Sequence, residues 1–283
     1  MTSVSASAVK ELRERTGLGM MDCKRALVEA GGDMDLAIEN LRKSSGMKAA
    51  KKAGRIAADG LIGSRVEAGC GVIIEVNCET DFAAKNEDFI SFVSRVTDLV
   101  FENKISDIGE LQIEKDREEL VQKIGENISV RRSEFFENDK ALVINYIHGN
   151  QKIGVLLEIE GGDKSLGQDL AMHIAAMNPL VVVPEDVSED LIVKEREIYL
   201  AQAEESGKPK EIVEKMVEGR LKKYLAEISL TEQPFVKDGD VKVGDLCRAA
   251  GATVRSFVRY EVGEGIEKAE DDFAAEVQKQ LNS

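Results

Sequence analysis

Near its start the chain shows apolar residues at helical spacing. From Ser5 to Thr16, Val9 and Leu12 share one face, and Gly17 supplies the left-handed residue that ends such a helix. Met20, Cys23, Ala26, Leu27 and Ala30 fall near one face of a second helix, which Gly31-Gly32 stops. Asp33 then suits the N-cap of a third helix carrying Leu36, Ile38 and Leu41. Three short helices make a marginal core by themselves, so a module of this kind is expected to bind something. Arg42 to Arg55 reads as a linker or short helix. Its basic residues (Arg42, Lys43, Lys48, Lys51, Lys52 and Arg55) make either a solvated face, the preferred reading, or an RNA-contacting strip. The strip lacks the interleaved aromatics that stack on bases.

The pattern then changes to strands and repeats itself. GVIIEV at Gly71–Val76 recurs as GVLLEI at Gly154–Ile159, and both are short apolar runs of strand type. A β-like stretch and a turn precede each copy, at Leu61–Val66 and at Leu142–Ile147. A loop and a helix follow each. Phe89, Val93, Val96 and Val100 mark the first helix. Leu170, Ile174 and Met177 mark the second, with Pro179 just beyond it. Leu120, Val121 and Ile124 mark another helix between the copies. The fold expected is α+β, with a core of two related α+β subdomains, each an antiparallel hairpin packed against helices.

From Ser188 to Ile228 the chain is highly charged. Leu191 and Ile198 lie seven apart, and Ile212, Met216, Leu221, Tyr224 and Ile228 follow a turn at Gly207–Pro209. This predicts an exposed helical hairpin, suited to homodimerisation or partner contact, or else simply packed on its own core. The remainder holds a turn at Gln233–Pro234, a strand-like Thr253–Val262 that could complete a sheet, and a helix with Phe273, Val277 and Leu281. The expected divisions are 1–55 (helical module and linker), 56–140 and 141–187 (the two core subdomains), 188–228 (hairpin) and 229–283 (small C-terminal module).

Composition narrows the function. The 283 residues are 43% hydrophobic and 32% charged, which suits a soluble protein with real cores. Asp and Glu number 53 against 38 Lys and Arg, a net charge of -15, and this argues against nucleic acid as a partner. Cys23, Cys70, Cys78 and Cys247 show no CxxC spacing and no clustering with His148 or His173, so neither a zinc site nor a disulfide framework is expected. Four thiols in a reducing cytosol is the plain reading, and no signal or transit pattern opens the chain. There is no phosphate loop, dinucleotide fingerprint, GxSxG or HExxH. His148 reads as a turn residue and His173 as a satisfied structural histidine. No cofactor, metal or catalytic group is expected, and the residues alone describe a multi-module binding protein rather than an enzyme.

Several strings carry a specific resemblance. They are VKELRERTGLGMMDCKRAL (Val9–Leu27), NCETDFAAKN (Asn77–Asn86), KIGENISVRR (Lys123–Arg132), SGKPKEIVEKMVEGR (Ser206–Arg220) and VRYEVGEGIEK (Val258–Lys268). Together, and in order along the whole chain, they resemble the elongation factor Ts family. The resemblance implies a ubiquitin-associated-like N-terminal module, the two-subdomain core, the coiled-coil hairpin and a C-terminal module. It also implies a cytoplasmic guanine-nucleotide exchange factor whose partner is the GTPase elongation factor Tu, with no membrane role and no nucleotide bound directly. Thr80, Asp81 and Phe82 match the family segment that enters the GTPase near its magnesium and phosphates, and His148 matches a family histidine acting near the nucleotide region. Arg13, Met20 and Met21 match the contact with the GTP-binding domain, and Phe235 and Val236 match a further contact segment. From the residues alone, Asp81-Phe82 would instead be a helix N-cap and a core aromatic.

Overall fold

In the computed structural model, which describes residues 4–204 and 209–267, the N-terminal periodicity resolves into three capped helices. Two units divide the chain, one of residues 4–63, 74–133 and 261–267 and one of 64–73 and 134–260. In the first, α1 (Ala6–Thr16) starts where the Ser5 hydroxyl accepts from the Ala8 N–H and ends at Gly17, φ 68°. Helices α2 (Met20–Glu29) and α3 (Met34–Lys52) follow, the latter capped by the Asp33 carboxylate accepting from Leu36 N–H at 3.0 Å. Val9, Leu12, Cys23, Leu27, Ala37 and Leu41 form their shared core. Two expectations need correction here. Leu36 and Met20 are exposed, because Ala37 takes the inward position on α3 and Cys23 the one on α2. Arg42–Arg55 is no separate linker, since α3 runs through it to Lys52. What α3 buries is Ala37, Leu41, Ser45 and Ala49, a four-residue stripe mostly of small side chains that a search for large apolar residues passes over.

Next come β1 (Asp59–Glu67), β2 (Cys70–Cys78), α4 (Asp81–Ala84), α5 (Glu87–Asn103), α6 (Glu114–Ile124) and β3 (Ser129–Glu137). The three strands form one sheet in the order β1-β2-β3, so the first repeat copy is its central strand. β2 is buried from Gly71 to Cys78, as a strand covered on both faces must be. At Gly60, φ 145°, a Cβ would stand 2.0 Å from the Val76 carbonyl oxygen, so only glycine fits. α5 buries Phe89, Val93, Val96 and Val100, as their spacing predicts, together with Phe92. α6 and α3 approach closely at Gly46, where a Cβ would meet the Glu118 carboxylate at 2.9 Å.

The second unit carries the other copy. β4 (Leu142–Ile147) and β5 (Ile153–Glu160) pair antiparallel, from Leu142 opposite Ile159 to Ile147 opposite Gly154. Asp163 caps α7 (Lys164–Met177), which Asn178 ends in the left-handed region before Pro179. The helices of the hairpin are α8 (Glu189–Glu204) and α9 (Lys210–Ile228). Their seam holds Ala203, Val213 and Val217 with Tyr199 beside them, whereas Ile198 of the seven-apart pair and Ile212 of the second run are exposed, contrary to expectation. Of the expected turn, Gly207 and its neighbours 205–208 lie outside the described residues, and Pro209 stands directly before α9. Then come β6 (Pro234–Phe235), β7 (Asp238–Lys242), α10 (Val243–Ala249) and β8 (Thr253–Glu261). β8 completes the second sheet in the order β4-β5-β8. Leu157, Ile159, Leu170, Ile174, Phe235 and Val254 belong to the core of this unit, while Met177 is exposed. The expected helix with Phe273, Val277 and Leu281 lies outside the described residues.

Candidate partner-binding site

Where β2 ends, the chain turns into a one-turn helix. Thr80 is extended (φ −129°, ψ 158°) and its hydroxyl accepts from the Ala83 N–H at 3.2 Å, so Thr80, not Asp81, is the N-cap of α4. Ala83 and Ala84 turn inward and are buried. That leaves Phe82 on the outer side, 80% exposed. The core-aromatic reading is thereby excluded. A phenyl ring so exposed forgoes the roughly 1.5–3 kcal/mol that burial would contribute, and folding gives no reason for it.

Asp81 and Lys85 flank that ring. The Lys85 ammonium donates to Asp81 Oδ2 at 2.6 Å and lies 5.9 Å from the Phe82 ring centroid. The hydrogen bond from Asp81 raises the Lys85 pKa above its ordinary value, with the carboxylate's charge adding to it. The outer face of α4 thus offers an aromatic ring beside a paired carboxylate and ammonium. Lys85 escaped the sequence reading, although its position four residues after Asp81 on a helix is a usable signal.

Arg13, Met20 and Met21, in the same unit, are all exposed, Met21 at 70%. On α2, Met21 and Val28 stand seven apart and both are exposed, so this face carries apolar surface with no core beneath it. Four of the six basic residues of the following stretch are engaged within the unit. Arg42 meets Glu119, Lys43 meets Glu39, Lys52 donates to the Gly125 carbonyl and Arg55 meets Glu79. These pairs favour the solvated-face reading over an RNA-contacting strip.

In the second unit, His148 is exposed in the turn after β4. Its N–H donates to the Ile153 carbonyl at 2.9 Å, and Nδ1 lies 3.1 Å from the Tyr146 hydroxyl. Phe235 departs from expectation. Only 6% exposed, its ring packs 5.8 Å from His173, so it supports the surface from below and does not offer itself to a partner. Val236, next to it, is 43% exposed. His173 fixes this corner. Its Nδ1 accepts from the Val236 N–H at 3.1 Å, which places its proton on Nε2, 2.9 Å from Gln233 Oε1. Burial pushes the His173 pKa below its ordinary value, and the Gln233 bond offsets that only in part. Gln233 in turn donates to the Glu227 carbonyl at 2.7 Å.

Among the described residues, no group of three or more His, Cys, Asp or Glu is placed to hold a metal ion, and no helix is long and apolar enough to cross a membrane. A family model described as elongation factor TS matches residues 79–264, more than half of the chain. Relatives named elongation factor Ts agree along nearly its whole length. The protein of Hahella chejuensis is 60% identical over 99% of both chains. That of Stutzerimonas stutzeri is 55% identical over 99% of this chain and 98% of its own. That of Pasteurella multocida is 56% identical over 98% of each.

The chain belongs to the elongation factor Ts family. Membership makes it a translation elongation factor by family. The elongation factor Ts model begins at Glu79, one residue before the Thr80-Asp81-Phe82 segment, so that segment lies within the matched region.

Proposed function

We propose that the protein is a guanine-nucleotide exchange factor that binds elongation factor Tu and promotes release of GDP and Mg²⁺, readying it for GTP during elongation in the cytoplasm. The observation that carries this reading is Phe82, 80% exposed on a capped turn of helix in an elongation factor Ts chain. Exchange needs no bond-making group. A GTPase holds GDP through loop amides on the phosphates and through Mg²⁺. A protein that binds the nucleotide-free form more tightly than the GDP form must, by reciprocity, weaken GDP binding by the same factor. The protein is therefore read as a binding factor and not as an enzyme.

The residues divide the work. Phe82 inserts as an apolar wedge, and its burial in the partner contributes about 1.5–3 kcal/mol toward the nucleotide-free state. Asp81 competes for hydrogen bonds or disturbs the shell of the metal, and Thr80 caps the helix that carries both. Arg13, Met20 and Met21 supply a contact with the GTP-binding domain. His148 and Val236 supply contacts from the second unit, with Phe235 as the support under Val236. The test is release of labelled GDP from elongation factor Tu. The protein at substoichiometric concentration should accelerate it many-fold, and an unchanged rate would refute the proposal.

A further inference from the structure

One carboxylate holds the segment that presents Phe82. α6 ends at Gly125, whose φ of 87° suits glycine and whose N–H closes on the Val121 carbonyl. The chain leaves the helix there, and the next side chain, Glu126, reaches the loop after β2. Its Oε2 accepts from the Glu79 and Thr80 N–H groups, both at 3.0 Å, and its Oε1 accepts from the Thr80 hydroxyl at 2.6 Å. The favour is returned. Glu79 Oε1 accepts from the Asn127 N–H at 2.6 Å, and the Asn127 amide donates to the Arg55 carbonyl at 2.8 Å. Two loops and the segment leaving α3 are joined at one clasp.

We propose that Glu126 is a positioning residue for exchange, a role that rests on the function proposed above. β2 ends at Cys78, so the Glu79 and Thr80 amides lie beyond the strand, and Glu126 supplies their acceptor. The Thr80 hydroxyl donates to Glu126 while accepting from Ala83 N–H. The carboxylate therefore fixes the rotamer of the cap, and the cap fixes where α4 begins. A four-residue helix has almost no stability of its own, since its first turn costs more to order than its hydrogen bonds return. The direction in which Phe82 points is accordingly set by Thr80, and the setting of Thr80 by Glu126. Cys78 adds a weaker tether, its thiol donating to the Thr80 carbonyl at 3.2 Å.

The test compares Glu126→Ala, Glu126→Gln, Phe82→Ala and the double variant Glu126→Ala/Phe82→Ala in GDP release from elongation factor Tu, with amide hydrogen exchange on each free protein. Loss of charge-assisted bonds should slow release about tenfold in Glu126→Ala. Glu126→Gln, which keeps an acceptor oxygen, should recover part of the rate. If Glu126 acts through Phe82, the double variant is no slower than Phe82→Ala alone. Protection of the Glu79 and Thr80 amides should fall in Glu126→Ala while the core strands keep theirs. A native release rate in Glu126→Ala beside a slow Phe82→Ala overturns the proposal, as does additive slowing in the double variant. Should Phe82→Ala itself release GDP at the native rate, the wedge role of Phe82 falls, whereas the exchange reading falls only if the native protein leaves the release rate unchanged. Hydrogen exchange then still judges the clasp, and unchanged protection at Glu79 and Thr80 in Glu126→Ala refutes it.

Discussion

The two copies of the repeat start alike and end differently. Gly71–Val76 and Gly154–Ile159 are both central strands of three-stranded sheets, and each leads toward a helix capped by a polar side chain. At the matched glutamates the copies part. Glu75 is wholly buried and accepts from Arg131, Arg132, Asn77 and the Gly263 N–H, at 2.6 to 3.1 Å. Glu158 is half-buried and meets neutral groups, the Asn138 amide and the Ser256 hydroxyl. Beyond the strand, the first copy inserts Thr80, Asp81 and Phe82 with a helical turn of their own, and the second passes through Gly161-Gly162 to the Asp163 cap. One supersecondary frame can therefore serve as support in one place and as a presenting arm in another. The difference lies in the few residues after the strand and in the charges that anchor it.

Of the changes that separate the two copies, removing the anchor should have the largest effect. Burial alone would raise the Glu75 carboxyl, but the Gly263 amide, Asn77 and Arg132 outweigh it and hold its pKa below the ordinary value. Glu75→Ala removes the buried carboxylate that both Arg131 and Arg132 meet, leaves Arg132 with Glu264 alone, and should cost about 3 kcal/mol in denaturant melts, since breaking a buried ion pair leaves charge poorly compensated. Because its folded pKa lies below its unfolded one, the stability Glu75 contributes is present above pH 4.5 and is lost as pH falls through the folded value. An equal loss in Glu158→Ala would erase the contrast between the copies.

Phe82→Ala comes next and moves a different observable. With its ring 80% exposed, the free protein should lose less than about 0.5 kcal/mol. GDP release from elongation factor Tu should slow by roughly ten- to a hundredfold, matching the burial that a phenyl ring contributes in a complex. Phe89→Ala, a fully buried ring on α5, should do the reverse and cost about 3–5 kcal/mol of folding free energy. A stability loss of that size in Phe82→Ala would defeat the wedge.

The sequence showed much of this, and the failures have physical causes. Both copies, both following helices and the cap Asp33 follow from spacing and turn chemistry, although the capping roles of Ser5 and Asp163 went unremarked. β3 went unseen because Ser129–Glu137 has no clean alternation, and two of its residues are the arginines that serve Glu75. α3 looked too short because Ser45 and Ala49 are small. Phe82 and Phe235 could not be sorted into presented and buried by type, since Phe82 is turned outward by a cap and Phe235 inward by a two-residue strand. Glu126 escaped notice because its partners are backbone amides more than 40 residues away in sequence.

Glu158→Ala should be milder than either anchor or wedge. Its partners, Asn138 and Ser256, are neutral and only partly buried, so about 1 kcal/mol is expected in the same melts. A loss of 3 kcal/mol or more would show that the second sheet depends on its glutamate as the first does.

The last contrast should appear as a pH dependence near neutrality in the second copy. Aligning Phe89 and Val93 with Leu170 and Ile174 sets Phe92 where His173 stands, and both are buried. Only the second copy thus carries a titratable group at that helical position. In the folded chain His173 Nδ1 accepts from the Val236 N–H, a bond that a protonated ring cannot make. Burial holds its pKa below about 6.5, the value expected once the chain unfolds. Above that pH both states are neutral and stability is full. As pH falls below it, the unfolded chain takes up a proton that the folded chain refuses, and stability should decline by up to about 1.4 kcal/mol per pH unit. Melts from pH 7.5 to 5.5 should show this slope in the native protein and a flatter one in His173→Gln. Val236 should become more mobile over the same range, visible as faster exchange of its amide relative to that of Val155 in β5. An identical slope in both proteins would place the titration elsewhere and leave the corner around Val236 insensitive to pH.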